Sequence, residues 1–363
     1  MLAARPTAVV MQPTTLCNLD CSYCYLPFRR LDQRMPVEVA SAVSVRVNEW
    51  AVADDFDVIW HGGEPLSAGR AHFAALLAPF AGVRHHVQTN ATLIDDAWCE
   101  FFAEHDVRIG VSIDGPRDRN DARATRAGRP AYRAIRRGID RLRRHGLEYS
   151  AIAVVADPDP AGAAELYEYF VGLGCVVLGI NIEEQEGVNT RRNVLDAGKV
   201  AEFWAALVAA WQRNPVIRVR EIERVLGYVS AEFDGRADQF LPAEIDPFPT
   251  VTHTGDVVLL SPELAGFDDH RLGPFAVGNV LGTDLADLVS AAGKQPWLAE
   301  FRSGIESCRK ACPYFAFCGG AQPANRYFEL GRFDGTRTAH CENSRISLLE
   351  GVLEHARTHG AVA

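Results

Sequence analysis

No stretch of this 363-residue sequence is apolar for long enough to cross a bilayer, and its opening, MLAARPTAVVMQPTTLC, carries no long hydrophobic run. Neither a secretory signal nor a membrane span is expected, and the chain is read as cytoplasmic. An excess of positive charge is missing as well. The formal net charge is −10, which argues against a general nucleic-acid or anionic-membrane binder. Internal repeats and low-complexity segments are absent. So is an even number of cysteines: there are nine. An odd count without a signal sequence argues against a disulfide framework and for metal ligation.

What is present begins with a repeated pattern. Apolar runs stand at 7–12, 56–60, 84–88, 108–113, 149–155 and 176–181, with helical stretches between them. The helices are expected to start after Pro36, near Ser67, at Asp95–Asp96, near Ala131 and near Asp159, where Pro, Ser and Asp supply first-turn or cap residues. Such alternation means βαβ units and a parallel sheet. Right-handed crossovers curl that sheet towards a barrel, with function at the C-terminal strand ends. The fold class expected is α/β, a partial (β/α)6 TIM-type barrel over residues 1–185. A helical bridge over 186–240 and a turn-rich, cysteine-rich domain over 241–363 follow.

The cysteines cluster. Cys17, Cys21 and Cys24 lie on one loop directly after the first predicted strand. Three thiolates can bind three irons of a cubane and leave the fourth iron open to chelate a small molecule. Cys308, Cys312, Cys318 and Cys341 stand together near the C-terminus. Four thiolates can ligate a 4Fe–4S cluster fully, or a structural zinc ion. Cys99 and Cys175 are isolated and read as buried small hydrophobes. At the end of the second strand stands His61-Gly62-Gly63-Glu64-Pro65. Its glycines allow close backbone approach, and Glu64 could receive an ammonium group.

The Cys17-x3-Cys21-x2-Cys24 spacing, with Tyr23 before the third cysteine, resembles the radical S-adenosylmethionine superfamily. That resemblance implies a 4Fe–4S cluster whose open iron binds S-adenosylmethionine through its amino and carboxylate groups. It implies that Gly62, Gly63, Glu64 and Pro65 receive the methionine amino group. Gln88, Asn90, Ser112 and Asp114 would flank the ribose and methionine carboxylate. Arg123 would pair with the carboxylate and Val155 would pack on the adenine. The C-terminal segment resembles the SPASM extension of peptide-modifying radical enzymes, with an incomplete pattern. Leu260 and Gln322 stand where the family's inner auxiliary cluster would have cysteines. One auxiliary 4Fe–4S cluster is therefore expected, on Cys308, Cys312, Cys318 and Cys341.

The whole chain is similar to the subgroup that makes three-residue cyclophanes in ribosomal precursor peptides. The resemblance implies a cross-link between the Cβ of one residue and a nearby aromatic ring. Glu183, Glu184 and Glu263 are candidates for the base that removes the ring proton. A flavodoxin or ferredoxin type electron donor is the expected second partner, and neither nucleic acid nor membrane is. The chain opens on its first barrel strand, so leader recognition is expected on the barrel surface or by a separate protein. Residues 117–144 carry eleven arginines against three aspartates, which reads as a solvated helix face or as a dock for an acidic peptide or donor. The alternatives are a formylglycine-generating sulfatase maturase and a non-catalytic iron–sulfur or zinc redox scaffold.

Overall fold

The computed structural model describes residues 2–53, 55–191 and 195–359. The six apolar runs form β1 (Ala8–Met11), β2 (Asp57–Trp60), β3 (Arg84–Thr89), β4 (Val107–Ser112), β5 (Tyr149–Val155) and β6 (Val177–Ile182), paired in parallel and in sequence order. All four residues of β1 are buried, as a parallel strand covered on both faces requires. Along β5 burial alternates. Tyr149, Ala151, Ala153 and Val155 pack under helices, while Ile152 and Val154 turn into the concave side.

The crossover helices are α1 (Val37–Ala53), α2 (Arg70–Leu77), α3 (Asp96–Glu104), α4 (Tyr132–Arg144) and α5 (Ala163–Leu173). Asp95 caps α3 by accepting from the Trp98 N–H at 2.8 Å. Two of the expected starts lead first into 3-10 turns, Pro65–Ala68 before α2 and Pro160–Gly162 before α5. Cys99 on α3 and Cys175 before β6 are buried in the core.

Beyond β6 come α6 (Ala197–Arg213), β7 (Arg218–Val219) and α7 (Arg220–Phe233). β7 extends the sheet past β6, and β8 (Thr250–Val251) pairs in parallel with β1 at the other edge. β9 (Asp256–Val258) continues antiparallel to β8. A separate hairpin joins β10 (Asp268–Asp269) and β11 (Gly273–Pro274), and β12 (Gly278–Asn279) returns to β9. The sheet runs β12-β9-β8-β1-β2-β3-β4-β5-β6-β7 and is open, a partial barrel. The C-terminal part adds α8 (Leu285–Ala291), α9 (Pro296–Ala311), α10 (Phe315–Cys318), α11 (Pro323–Leu330), α12 (Ala339–Cys341) and α13 (Ser347–His359). α13 packs on α6, and Trp204 of α6 donates to the Asn343 carbonyl at 3.1 Å. No helix among the described residues is long and apolar enough to cross a membrane.

Candidate active site

The loop between β1 and α1 carries three thiols and is stapled on both sides. Cys17 N–H donates to the Arg29 carbonyl at 2.9 Å, and Thr15 Oγ1 to the Leu31 carbonyl at 2.6 Å. Asp20 N–H and Ser22 N–H donate to the carbonyls of Ala124 and Ala122, which ties the loop to the segment after β4. Asp20 is held in turn by Arg29 and Arg30.

Gly63 has φ +62, and a Cβ there would lie 2.6 Å from the Thr14 carbonyl and 2.7 Å from that of Leu16. The glycine is needed because the β2 end packs directly on the cysteine loop, where Glu64 N–H donates to the Leu16 carbonyl at 2.8 Å. Gly62, at φ +97, faces the Gln12 side chain in the same way. The sequence suggested close ligand approach as the reason for both; the structure adds loop packing.

Glu64 is buried. It accepts from Leu66 N–H at 3.1 Å, Thr89 Oγ1 at 2.6 Å and Asn90 N–H at 2.7 Å. These donors do not offset its loss of water, and burial pushes it up to about 7. A cation arriving there would stabilise the carboxylate. Pro65 opens the short turn that follows. Asn90 bridges the β3 end to the cysteine loop, donating to Asn18 Oδ1 at 2.8 Å with Cys17 Sγ at 3.9 Å. Gln88 donates to Ser112 Oγ at 2.8 Å.

Asp114 is saturated from four directions. It takes Nε and Nη2 of Arg123, each at 2.9 Å, Tyr23 OH at 2.7 Å and Val154 N–H at 2.9 Å. It is a post that locks Arg123, Tyr23 and β5 together. Arg123 keeps its place in the cavity wall, with its guanidinium 5.5 Å over the Tyr23 ring.

These residues line one cavity of ≈ 610 Å³ that holds Cys17, Cys21, Cys24, Glu64, Gln88, Asn90, Ser112 and Arg123 together. A second cavity adjoins it through Tyr23, Val154 and Glu183, and there Val155 and Asp114 contribute wall. Val154 of β5 meets both cavities, whereas Val155 lines only the second.

The far wall comes from β6 and the C-terminal part. Gly187, at φ +55, docks the segment after β6 onto the Tyr25 carbonyl, which a Cβ there would overlap. Glu183 is buried. Its Oε1 has no hydrogen bond, and Arg191 Nη1 stands 3.8 Å off. Glu184 meets His340 Nδ1 at 2.9 Å and Asn325 Nδ2 at 2.6 Å. Burial would raise Glu184, but these partners prevail and hold it down to about 2. The same Asn325 Nδ2 donates to Glu186 at 2.5 Å. Burial and the neighbouring Glu184 and Glu263 push Glu186 well above the usual carboxylate range. Glu263 has a solvent-shielded Oε2 without a partner, and burial pushes it up to about 7.

Glu186, in the same strand-end run as Glu183 and Glu184, was not among the base candidates named from sequence, and Asn325 and His340 were given no role there. Asn325 lies 141 residues from Glu184, and no local pattern links the two.

The remaining four cysteines gather behind this wall. Cys308 lies in the last turn of α9 and Cys312 caps its end, Cys318 ends α10, and Cys341 sits in α12, whose Thr338 cap accepts Cys341 N–H at 3.0 Å. Burial, and then the nearness of Cys318, Cys312 and Cys308, push the Cys341 thiol up to about 12. At the first cluster, burial and Glu64, with Cys21 and Cys24 nearby, push Cys17 up to about 12. Each set is mutually close and sheltered. Among the described residues no three His, Cys, Asp or Glu side chains converge as a single metal ion would require. Three thiols at the first site and four at the second offer the thiolate ligands that a 4Fe–4S cluster takes. Leu260 and Gln322, where the SPASM resemblance would expect cysteines, carry no thiol. Gln322 lines the main cavity, and Leu260 stands at φ +70, unusual for leucine.

An α/β partial barrel with three thiols on the loop after its first strand, and a glycine-rich carboxylate turn beside them, defines an iron–sulfur enzyme that works at its strand ends. The sequence model of the Radical SAM superfamily matches residues 11–169. An uncharacterised protein of Synechocystis sp. is 32% identical over 353 residues, covering 92% of this chain and 87% of that protein. The serine-type anaerobic sulfatase-maturating enzyme of Bacteroides thetaiotaomicron is 33% identical over 377 residues, covering 97% and 89%. Among solved structures, anSMEcpe with bound AdoMet has a TM-score of 0.74 at 19% identity, covering 98% of this chain and 99% of that one. Streptococcus suis SuiB bound to precursor peptide SuiA gives 0.66 at 17% identity, covering 94% and 76%. Both structural likenesses show the shared fold. The chain belongs to the radical SAM superfamily and is an enzyme of that class, with S-adenosylmethionine and 4Fe–4S chemistry as its cofactors.

Proposed function

We propose that this enzyme modifies a ribosomal precursor peptide, joining the Cβ of one residue to a nearby aromatic ring. The three N-terminal thiolates would hold the cluster that binds S-adenosylmethionine, and Cys308, Cys312, Cys318 and Cys341 would hold a single auxiliary cluster. When bound, these groups supply the one-electron cleavage that yields a 5′-deoxyadenosyl radical and the acceptor for the electron released when the ring regains aromaticity. The residues Gly62, Gly63, Glu64 and Pro65 would seat the methionine amino group. Gln88, Asn90, Ser112 and Arg123 would surround the rest of the methionine and ribose, with Tyr23 and Asp114 fixing Arg123. Val155 would contact the adenine from the second cavity. An acidic donor of flavodoxin or ferredoxin type would deliver the electron.

The observation that carries the reading is Glu263. It lines the cavity that holds the three thiols, its Oε2 has no partner, and burial raises it to about 7. A carboxylate raised to that range is an effective base at neutral pH. Glu184 is bound to His340 and Asn325 and held low, which makes it a weak base. Glu183, with an unpartnered oxygen, is the second candidate. The reaction balances: one hydrogen leaves Cβ for the deoxyadenosyl radical, a C–C bond forms, and the ring loses one proton to the carboxylate and one electron.

The similarity to the serine-type anaerobic sulfatase-maturating enzyme of Bacteroides favours the second reading, a formylglycine-generating sulfatase maturase. The side chains at Leu260 and Gln322, which remove one auxiliary cluster of the SPASM pattern, support the cross-linking reading instead. The test is to incubate reconstituted enzyme with candidate precursor peptides read from the open reading frames beside its gene and to sequence the product by fragmentation. A bridge between ring and Cβ supports the proposal. An aldehyde at serine or cysteine sinks it.

A further inference from the structure

Arg326 on α11 is 1% exposed, yet no carboxylate meets it among the described residues. Its Nη1 donates to the Phe333 carbonyl at 3.0 Å and its Nη2 to the Gly320 carbonyl at 2.5 Å. The same Nη2 donates to Cys308 Sγ at 3.3 Å, and the guanidinium lies 5.2 Å over the Phe301 ring. Burying a guanidinium without a negative partner is strongly unfavourable. The ionisable groups that act on it are Cys308, Cys318 and Cys341.

The surrounding chain is built to admit this side chain. Gly304 lies inside α9, where glycine weakens a helix. A Cβ at that position would overlap Arg326 Nη1. The missing side chain on α9 is thus the space the guanidinium fills. Gly320, at φ +95, turns its carbonyl onto Nη2.

We infer that Arg326 is the counter-charge of the cluster on Cys308, Cys312, Cys318 and Cys341 and that it makes that cluster easier to reduce. The inference rests on the reading that these four cysteines hold iron. Taking up one electron makes a four-thiolate cubane one unit more negative, with no bond formed or broken. A fixed cation and a hydrogen bond to a ligand sulfur both favour the more negative state. Exclusion of water leaves that charge weakly screened. Arg326 is a positioning residue with an electrostatic duty and makes no contact with substrate.

The test uses full-length, anaerobically reconstituted enzyme as native, Arg326→Lys and Arg326→Gln proteins. The same set is made in a Cys17/Cys21/Cys24→Ala background, so that the C-terminal cluster is seen alone. Iron content is measured first, then the midpoint potential by EPR at poised potentials. The expected order is native highest, Lys lower because it keeps charge without the fork, and Gln lowest. Gln at the native potential with full iron overturns the inference. If only the Gln protein loses iron, the Lys protein decides: a potential below native supports the inference and a native one overturns it. Loss of iron from both makes Arg326 a structural post, which also overturns it. If the native protein in the triple-alanine background holds no iron, the cluster assignment itself has failed, a result distinct from any shift in potential.

Discussion

At the scale of single residues, two carboxylates that look alike in sequence are separated by their surroundings. Glu184 is held down to about 2 by His340 and Asn325 against the pull of burial, whereas Glu263 is pushed up to about 7. Only the second can exchange a proton near neutral pH. Glu263→Gln is expected to leave 5′-deoxyadenosine formation largely intact and to slow peptide modification by about a hundredfold, the scale of a lost general base. A base must be ionised to act, so modification by the native enzyme should rise as pH passes upward through about 7. Steady-state rates of both products across pH 5.5–8.5 would check this, and an unchanged low-pH limb in the Gln variant would remove Glu263 from the role. The three N-terminal thiols have a sharper expectation. Cys17→Ala, Cys21→Ala or Cys24→Ala should abolish 5′-deoxyadenosine formation, because one missing thiolate disrupts the cluster; a variant with native cleavage after reconstitution would contradict the assignment. The thiols were legible because they sit on one loop at a fixed spacing. His340, Asn325 and Arg326 were not, because their partners lie far away in sequence and an arginine in a helix ordinarily reads as surface charge.

At the scale of elements, the strands and crossover helices were readable because each carries its own periodicity and cap. Strands β7, β8 and β12, of two residues each, are too short to show any alternation. They exist only through pairing with neighbours brought in from elsewhere. The junction of β2 with the cysteine loop lies between these cases: the glycines are visible in sequence, but what they pack against is not. Gly63→Ala should push the Thr14–Leu16 backbone away from the β2 end. Gly69→Ala is the control. Its φ is +83, but a Cβ there would have nothing within 4 Å. Both substitutions strain a positive-φ backbone by on the order of 1–3 kcal/mol, and Gly69, with ψ 147, lies in a region that is essentially glycine's own. Only Gly63→Ala should lose iron from the N-terminal site, with the C-terminal iron retained. Iron content and the EPR signal of each reconstituted protein would show it, and equal iron in both would mean that the loop tolerates the displacement.

At the scale of the whole molecule, one cavity is walled on one side by strand ends and on the other by the C-terminal part. If the four C-terminal thiols hold one cubane, the Cys17/Cys21/Cys24→Ala protein should bind about four irons. Twice that amount, or zinc in its place, would reject a single auxiliary cluster. The product follows from electron counting. Cross-linking takes one hydrogen from Cβ and one from the ring, so the peptide becomes two hydrogens lighter. Mass alone does not separate this from the formylglycine alternative, since oxidising serine to formylglycine also removes two hydrogens. Cysteine oxidation is distinct because it exchanges sulfur for oxygen. A label on the ring resolves the remaining pair. With a fully ring-deuterated aromatic residue, cross-linking must expel one ring deuterium, whereas serine oxidation leaves every ring deuterium in place. With deuterium at Cβ, both routes deliver label to 5′-deoxyadenosine, which tests only the shared abstraction. The expected result is a product that has lost one ring deuterium and one Cβ hydrogen and does not react with a hydrazide. A ring label fully retained beside a hydrazide-reactive aldehyde would replace cross-linking with formylglycine formation while leaving the S-adenosylmethionine site as described.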